Sequence, residues 1–353
     1  MNLIRIKILK TFKKFRPPPP LIKSSAPTRI DLAGGTLDIW PLNLFFGNAP
    51  TLNAAINLYA TVELTPRKDK QIVIRSHDLK LEDSFSSLNV LPEKHPLELL
   101  IRTVKFYAPK SGLEISTNCQ APQGSGIGGS SALSIALHGA LNKFIGTRYN
   151  KQEMIEIARN IETQVIGVPA GYQDYFPAMF GGVRSVNPGF VGIDTETLPV
   201  KPKELSPHVV LCYTGKPRNS GINNWEVTKN ALDGDNKVIR HLSTIRDCSV
   251  EMRRLLKKGQ ISGIASIFNK EWKARKQLAP NISTPQMERL IKSALKKGAL
   301  GAKVCGAGGG GCVAFIVPPK KKQSIINELD YQGGKVLPFK FISRGHRNTS
   351  SSK

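Results

Sequence analysis

One stretch limits what this chain can fold into more than any other: APQGSGIGGSSALSIALHGAL, from Ala121 to Leu141. Gly124, Gly126, Gly128 and Gly129 lead into Ser130 and Ser131, and an apolar run of helical character follows. Glycine has no Cβ, so such a backbone turns sharply and comes close to a ligand. The helix behind it starts with unpaired N–H groups and the positive end of its dipole, which suits an anion. Ser130 and Ser131 stand where a hydroxyl either caps the helix or reaches a metal ion carried by that anion. A flexible loop with an ordinary serine cap would read the same way. The loop is not a Walker A motif, because no Gly-Lys-Ser/Thr closes it. Nor does a GxGxxG with a following acid in a βαβ frame mark a dinucleotide site.

The charge balance points to anionic partners. Lys and Arg number 51 against 26 Asp and Glu, a formal +25, and six of the positive charges fall in the first sixteen residues. Nucleic acid, acidic membrane surfaces and phosphorylated metabolites all fit such a balance. Nucleic acid is set aside: no binding signature occurs, and the aromatics do not alternate with basic residues as a stacking platform needs. Cys119, Cys212, Cys248, Cys305 and Cys312 are scattered, without CxxC or zinc spacing, which predicts reduced thiols in a cytoplasmic protein. No run approaches the ~18 apolar residues of a membrane span.

At 353 residues the chain has room for about two domains. Residues 1–16 are basic and amphipathic, open to a basic extension or to weak contact with a membrane surface, and Pro17 to Pro20 form a stiff spacer. Residues 21–200 form the first domain. It has a strand near Thr28–Leu32, strands or a short helix over 51–64, a β-meander over 71–85 and a helix over 96–107. A strand at 113–117 enters the glycine loop, and the apolar spacing of 151–166 predicts a further helix. The loop Gly167–Gly182 carries Asp174 among Tyr172, Tyr175 and Phe176, where an acid serves either as a base or as a turn former. Arg29 and Asp38 suit a phosphate and a polyol hydroxyl, or a structural salt bridge. Residues 201–342 form the second domain: a strand at 208–213, helices over 222–256, 260–277 and 284–297, two strands hinged on glycines within 298–317, and a last strand near 335–342. Residues 343–353, polar and short, read as a disordered tail.

Three of these stretches resemble motifs of the GHMP kinase superfamily, the small-molecule kinases that include galactokinase, homoserine kinase and mevalonate kinase. They are APTRIDLAGGTLD at Ala26–Asp38, PQGSGIGGSSA at Pro122–Ala132 and AKVCGAGGGGCVAFIV at Ala302–Val317, in the superfamily's order. AGGTLD, LCYTGKPRNS at Leu211–Ser220 and GYQDYFPAMFGG at Gly171–Gly182 resemble the heptose 7-phosphate kinase type, with Tyr175 standing where that loop usually has Gln. The resemblance implies an α+β, two-lobed fold: an N-terminal α/β domain (ribosomal protein S5 domain 2-like) that binds ATP, and a ferredoxin-like C-terminal domain. It implies that Pro122, Gly124, Ser125, Gly126, Gly128, Gly129, Ser130 and Ser131 cradle the triphosphate, and that Ser130 and Glu162 hold Mg²⁺. Asp174 becomes the base that takes the proton from the acceptor hydroxyl, with Arg29 beside it. Asp38, Gly35, Thr36 and Gly171 become contacts to a sugar or sugar phosphate, with Gly308 and Gly309 lining the acceptor side. A non-sugar alcohol such as mevalonate or homoserine, or a ligand sensor without catalysis, stays open as an alternative.

Overall fold

Two long strands run through both halves of the molecule, which we describe from a computed structural model covering residues 21–47, 49–217 and 220–351. Strand β1 (Leu21–Ala33) pairs antiparallel with β2 (Thr51–Pro66), joined through a short helix α1 (Leu42–Phe45). The solvent-facing start of β1 alternates between buried and exposed residues, whereas Ala26 to Ala33 and Thr51 to Ile56 are buried throughout. A strand buried on both faces has protein on both sides, and here the second layer is the C-terminal lobe. Ile30, Leu32, Leu52 and Ala54 pack with Leu211, Met252, Phe268 and Ala314 of that lobe in one continuous core.

The N-terminal sheet continues through β3 (Ile72–Ser76), β4 (Leu81–Phe85), β5 (Leu113–Cys119), β6 (Val183–Pro188) and β7 (Ile193–Thr197). β3 and β4 form the expected antiparallel hairpin, but β5 lies parallel to β3 and antiparallel to β2, so it delivers the chain into the glycine loop from mid-sheet. Helices α2 (Glu98–Tyr107), α3 (Gly129–Ile145), α4 (Lys151–Ile166) and α5 (Tyr175–Phe180) contribute Leu100, Ile135, Ile155 and Phe176 to the core on that sheet.

After α6 (Pro202–Leu205), β8 (Val209–Tyr213) begins the second lobe. The expected helix over 222–256 is two helices, α7 (Ser220–Leu232) and α8 (Asn236–Lys257). Gly234 at φ 84° turns the chain, and Asp235 caps the new helix by accepting from the N–H groups of Lys237 (2.8 Å) and Val238 (3.2 Å). Then come α9 (Ile264–Arg275), α10 (Pro285–Lys296), β9 (Gly301–Val304), β10 (Cys312–Ile316), α11 (Lys322–Tyr331) and β11 (Lys335–Val336). The strand order β11-β8-β10-β9, antiparallel throughout, is the ferredoxin-like arrangement. In β10 the period of two divides the sheet's faces: Cys312, Ala314 and Ile316 face the core shared with the N-terminal lobe, while Val313 and Phe315 join Leu290 and Ile325 on the far side. Among the described residues no helix is long and apolar enough to cross a membrane. The basic amphipathic stretch 1–16 and its proline spacer lie outside the described residues.

The end of the chain departs from the sequence reading. Residues 339–341 leave the second sheet and return to the first, where Phe341 bridges to Ile56. The segment expected to be a disordered tail instead forms β12 (Arg347–Ser351), paired antiparallel with β1 from Leu21↔Ser351 to Ser25↔Arg347. His346 donates its N–H to the Ala178 carbonyl (2.8 Å), its ring meets Ser24 Oγ at 3.0 Å, and Asn348 Nδ2 donates to Gly139 O (2.9 Å). A half-exposed edge strand needs hydrogen-bond partners more than apolar side chains, so a polar RNTSS segment carries no period to read. Each of these bonds contributes about 1 kcal/mol net, so a chain ending at Ile342 should lose several kcal/mol. Its melting temperature should drop by about 5 °C or more; calorimetry of the two chains checks this, and equal melting would show the strand to be idle.

Candidate active site

The glycine loop adopts the conformation its composition requires. Gly124, Gly126 and Gly128 have φ of 65°, 74° and 77°, in the left-handed region that side chains disfavour. Gly128 is the N-cap of α3, and its own carbonyl accepts from Ala132 N–H at 2.9 Å. The first-turn amides of α3 therefore open onto the loop without intrahelical acceptors. Neither serine caps the helix: Ser130 Oγ donates to Glu162 Oε1 (2.7 Å) and Ser131 Oγ to Glu162 Oε2 (3.0 Å).

Glu162 is brought there by α4, whose start is fixed by a capping box between Asn150 and Glu153. A third hydroxyl, that of Tyr175, also donates to Glu162 Oε2. Burial pushes the Glu162 carboxyl above its ordinary pKa, with Asp174 adding to the rise and the three hydroxyl donors opposing it. Tyr175 is itself buried and held far above the usual tyrosine range by that burial and by Glu162.

Asp174 immediately precedes α5 and makes no capping bond there, which removes the turn-former reading. Its carboxylate instead pairs with the Arg29 guanidinium. Arg29 is 1% exposed, and its other terminal nitrogen donates to the Gly126 carbonyl at 2.7 Å. Its backbone N–H donates to Ile127 O at 2.9 Å. Burial works against the Arg29 charge, yet Asp174 and Asp31 outweigh it and hold its pKa above the ordinary value.

The two lobes meet at this loop. Cys312 N–H donates to Ser125 O at 2.7 Å, and a Cβ on Gly311 (φ 85°) would stand 2.7 Å from the same oxygen and 3.1 Å from Gly124 O. A cavity of about 400 Å³ lies along the junction. Arg29, Thr36, Gly171, Glu162 and Asp174 line it, as do all eight of the predicted phosphate-loop residues. Leu79, Leu97, Leu100 and Leu133 also line it, with Ser76 and Asp78; no motif in the sequence marks them. Gln173 also lines the cavity, and its buried Oε1 accepts no hydrogen bond.

Four expected site residues fall outside the cavity wall: Gly35, Asp38, Gly308 and Gly309. Gly308 and Gly309 sit behind it, where Gly309 N–H donates to Ile282 O (2.8 Å) and a Cβ on Gly308 would meet that same carbonyl at 2.5 Å. Only Gly306 and Ala307 of that loop reach the cavity. Asp38 is fully buried and holds the loop that carries Asp174, accepting from the N–H groups of Tyr172 (2.5 Å) and Gln173 (2.8 Å). Gly171 is glycine because any Cβ there would collide with that carboxylate. Arg218, part of the segment that resembles the heptose kinase type, lies outside the described residues.

The two-lobed fold and the comparisons with known proteins together define a kinase. Residues 97–182 match the GHMP kinases N terminal domain and residues 252–335 the GHMP kinases C terminal domain. The chain carries both GHMP kinase domains and is a phosphotransferase with an alcohol group as acceptor. It is 29% identical over 339 residues to the D-glycero-alpha-D-manno-heptose 7-phosphate kinase of Campylobacter jejuni, covering 92% of this chain and 97% of that one. The crystal structure of a D-glycero-D-manno-heptose 1-phosphate kinase from Bacteroides thetaiotaomicron matches with a TM-score of 0.75 at 26% identity, over 93% of this chain and 98% of that one. The mevalonate kinase of Pyrococcus furiosus is 27% identical over 334 residues, 88% of this chain and 93% of its own length.

Two outcomes follow. Gly311→Ala forces a strained left-handed alanine against Ser125 and should weaken nucleotide binding by about tenfold or more; titration calorimetry with an ATP analogue reads this. Burial raises the Asp38 pKa from 3.8 to about 6, with Asp174 adding to it. Between those values the folded protein keeps a proton that the unfolded chain has released. Its contribution therefore favours folding below pH 4 and is lost as pH rises through 6. Asp38→Asn keeps an acceptor for both N–H groups, so the variant should gain on the parent by on the order of 3 kcal/mol from pH 4 to pH 7. Parallel pH profiles of unfolding would refute that.

Proposed function

We propose that this chain transfers the γ-phosphoryl group of ATP to a hydroxyl of a sugar phosphate of the heptose phosphate class. The observation that carries the reading is the Arg29 fork: one nitrogen on the phosphate-loop carbonyl of Gly126, the other on Asp174. It ties the group that would take the acceptor proton to the loop that would hold the donor. The cleft suits a nucleotide, with leucines in its lining to cover a base and open amides with a helix N-terminus for phosphates.

The donor set also fits Mg²⁺. A hydroxyl (Ser130) and a carboxylate (Glu162) meet beside the phosphate loop, and among the described residues no group of three His, Cys, Asp or Glu forms a closed metal cage. Magnesium in phosphoryl transfer usually binds through one or two protein oxygens plus the substrate phosphates. Ser130 and Glu162 would hold it, and when bound it would neutralise negative charge developing during phosphoryl transfer.

The protein's own part follows from the geometry. Loop amides between Gly124 and Ser131 orient the triphosphate and meet negative charge with preset dipoles. Arg29 pairs with Asp174 and fixes its orientation, leaving the second carboxylate oxygen for the acceptor hydroxyl. Asp38, through the N–H groups of Tyr172 and Gln173, holds the loop that presents Asp174. Asp174→Asn should lower kcat by about 10²–10⁴-fold with ATP affinity nearly unchanged. ADP release with D-glycero-D-manno-heptose 7-phosphate as acceptor, set beside nucleotide titration, measures both. Near-normal turnover of the variant would remove Asp174 as the base, and a wild-type protein that binds ATP but turns over no acceptor would favour a sensor.

A further inference from the structure

Four charged side chains, each 0% or 1% exposed, lie where the lobes join: Asp31 on β1, Glu271 and Arg275 on α9, and Lys303 on β9. Lys303 Nζ stands 3.1 Å from Asp31 Oδ1 and 2.9 Å from Glu271 Oε1, and Arg275 Nη2 stands 3.0 Å from Glu271 Oε1. Two acids and two bases balance. Buried pairs of this kind seldom add stability over apolar packing, so a different use is worth seeking.

That use is visible in the further contacts of Glu271 and Arg275. Glu271 Oε2 accepts from Gly34 N–H at 3.2 Å. Arg275 Nη2 donates to Gly35 O at 2.7 Å and Nη1 to Thr36 Oγ1 at 3.1 Å. Three successive residues of one turn are thus held by a single helix of the opposite lobe. Thr36 sits at φ 82°, a left-handed conformation that a β-branched residue adopts only under constraint. The turn belongs to the Asp174 end of the cavity: Thr36 lines the wall, and a Cβ on Gly35 would come within 3.1 Å of Gln173 Oε1, next to Asp174.

We propose that Glu271 and Arg275 are positioning residues that impose the conformation of the Gly34–Thr36 turn from the C-terminal lobe, and through it set recognition of the phosphoryl acceptor. The inference rests on the kinase reading for the word acceptor, but not for the clamp itself. Asp31 and Lys303 make the clamp tenable. Lys303 shares its charge between Asp31 and Glu271, which leaves Glu271 Oε2 free for the Gly34 amide.

The test is Arg275→Lys in the full chain. Lysine keeps the charge but lacks the planar fork that reaches Gly35 O, Thr36 Oγ1 and Glu271 together. Hydrogen–deuterium exchange should quicken by about tenfold in a peptide spanning residues 32–40 and stay unchanged in one spanning 122–132. With heptose 7-phosphate as acceptor, the acceptor KM should rise by about tenfold while the KM for ATP moves less than about twofold. Glu271→Gln, which removes charge but keeps an oxygen for the Gly34 amide, should quicken the same peptide to a smaller extent and guards against a lysine variant that does not fold. Unchanged exchange at 32–40, equal quickening in both peptides, or parallel rises in both KM values would overturn the clamp. A wild-type protein that phosphorylates no acceptor would overturn the kinase reading instead, and the exchange result would still decide the clamp.

Discussion

Everything at the active site depends on one buried guanidinium. Arg29 is nearly excluded from water, and each of its terminal nitrogens has a distinct duty, one on Gly126 and one on Asp174. A fork of fixed planar geometry links two loops that lie almost fifty residues apart in sequence at one rigid separation. A buried arginine without such partners would be prohibitively costly. The fold that buries Arg29 therefore obliges the phosphate loop and the Asp174 loop to be where they are.

The second dependence is between lobes. β1 and β2 are shared property: their outer halves belong to the N-terminal sheet and their inner halves are sandwiched against the ferredoxin-like lobe. At that contact the backbones approach so closely that Gly311 must lack a side chain, and Cys312 donates directly to the phosphate loop. The cleft is thus an inter-lobe feature whose floor, glycine loop and Gly34–Thr36 turn each draw on both halves of the chain.

The glycine runs and the three motifs were legible because they report local backbone needs. A positive φ at Gly124, Gly126 or Gly128 restricts residue type at that position whatever surrounds it. Asp174, Glu162 and Ser130 were legible through motif order, and the structure brings all three to one cavity wall. Asp38 was singled out in the sequence but not in its place: its carboxylate faces the backbone amides of Tyr172 and Gln173 instead of the cavity. Glu271 and Arg275, four residues apart on a helix, look from sequence like an ordinary surface ion pair; only tertiary packing turns that face inward. Gly308 and Gly309 shared a motif with residues that do reach the cavity, but their conformational demand comes from Ile282 behind the loop. The β12 strand left no signal at all, because edge pairing places few demands on side chains.

The opening glycine-serine loop was legible in the sequence as a sharp turn before a helix, since omission of Cβ and the free amides of a first turn act within a few residues. The sequence also determined, by the order of its motifs, that this loop belongs to a kinase. What tertiary structure decided is which groups face that loop. The serines turned from capping to Glu162, Asp174 turned from its helix to Arg29, and the far lobe closed over the loop through Cys312. Those choices are made by burial, which leaves each charged or polar group only the partners that the packed lobes bring within reach.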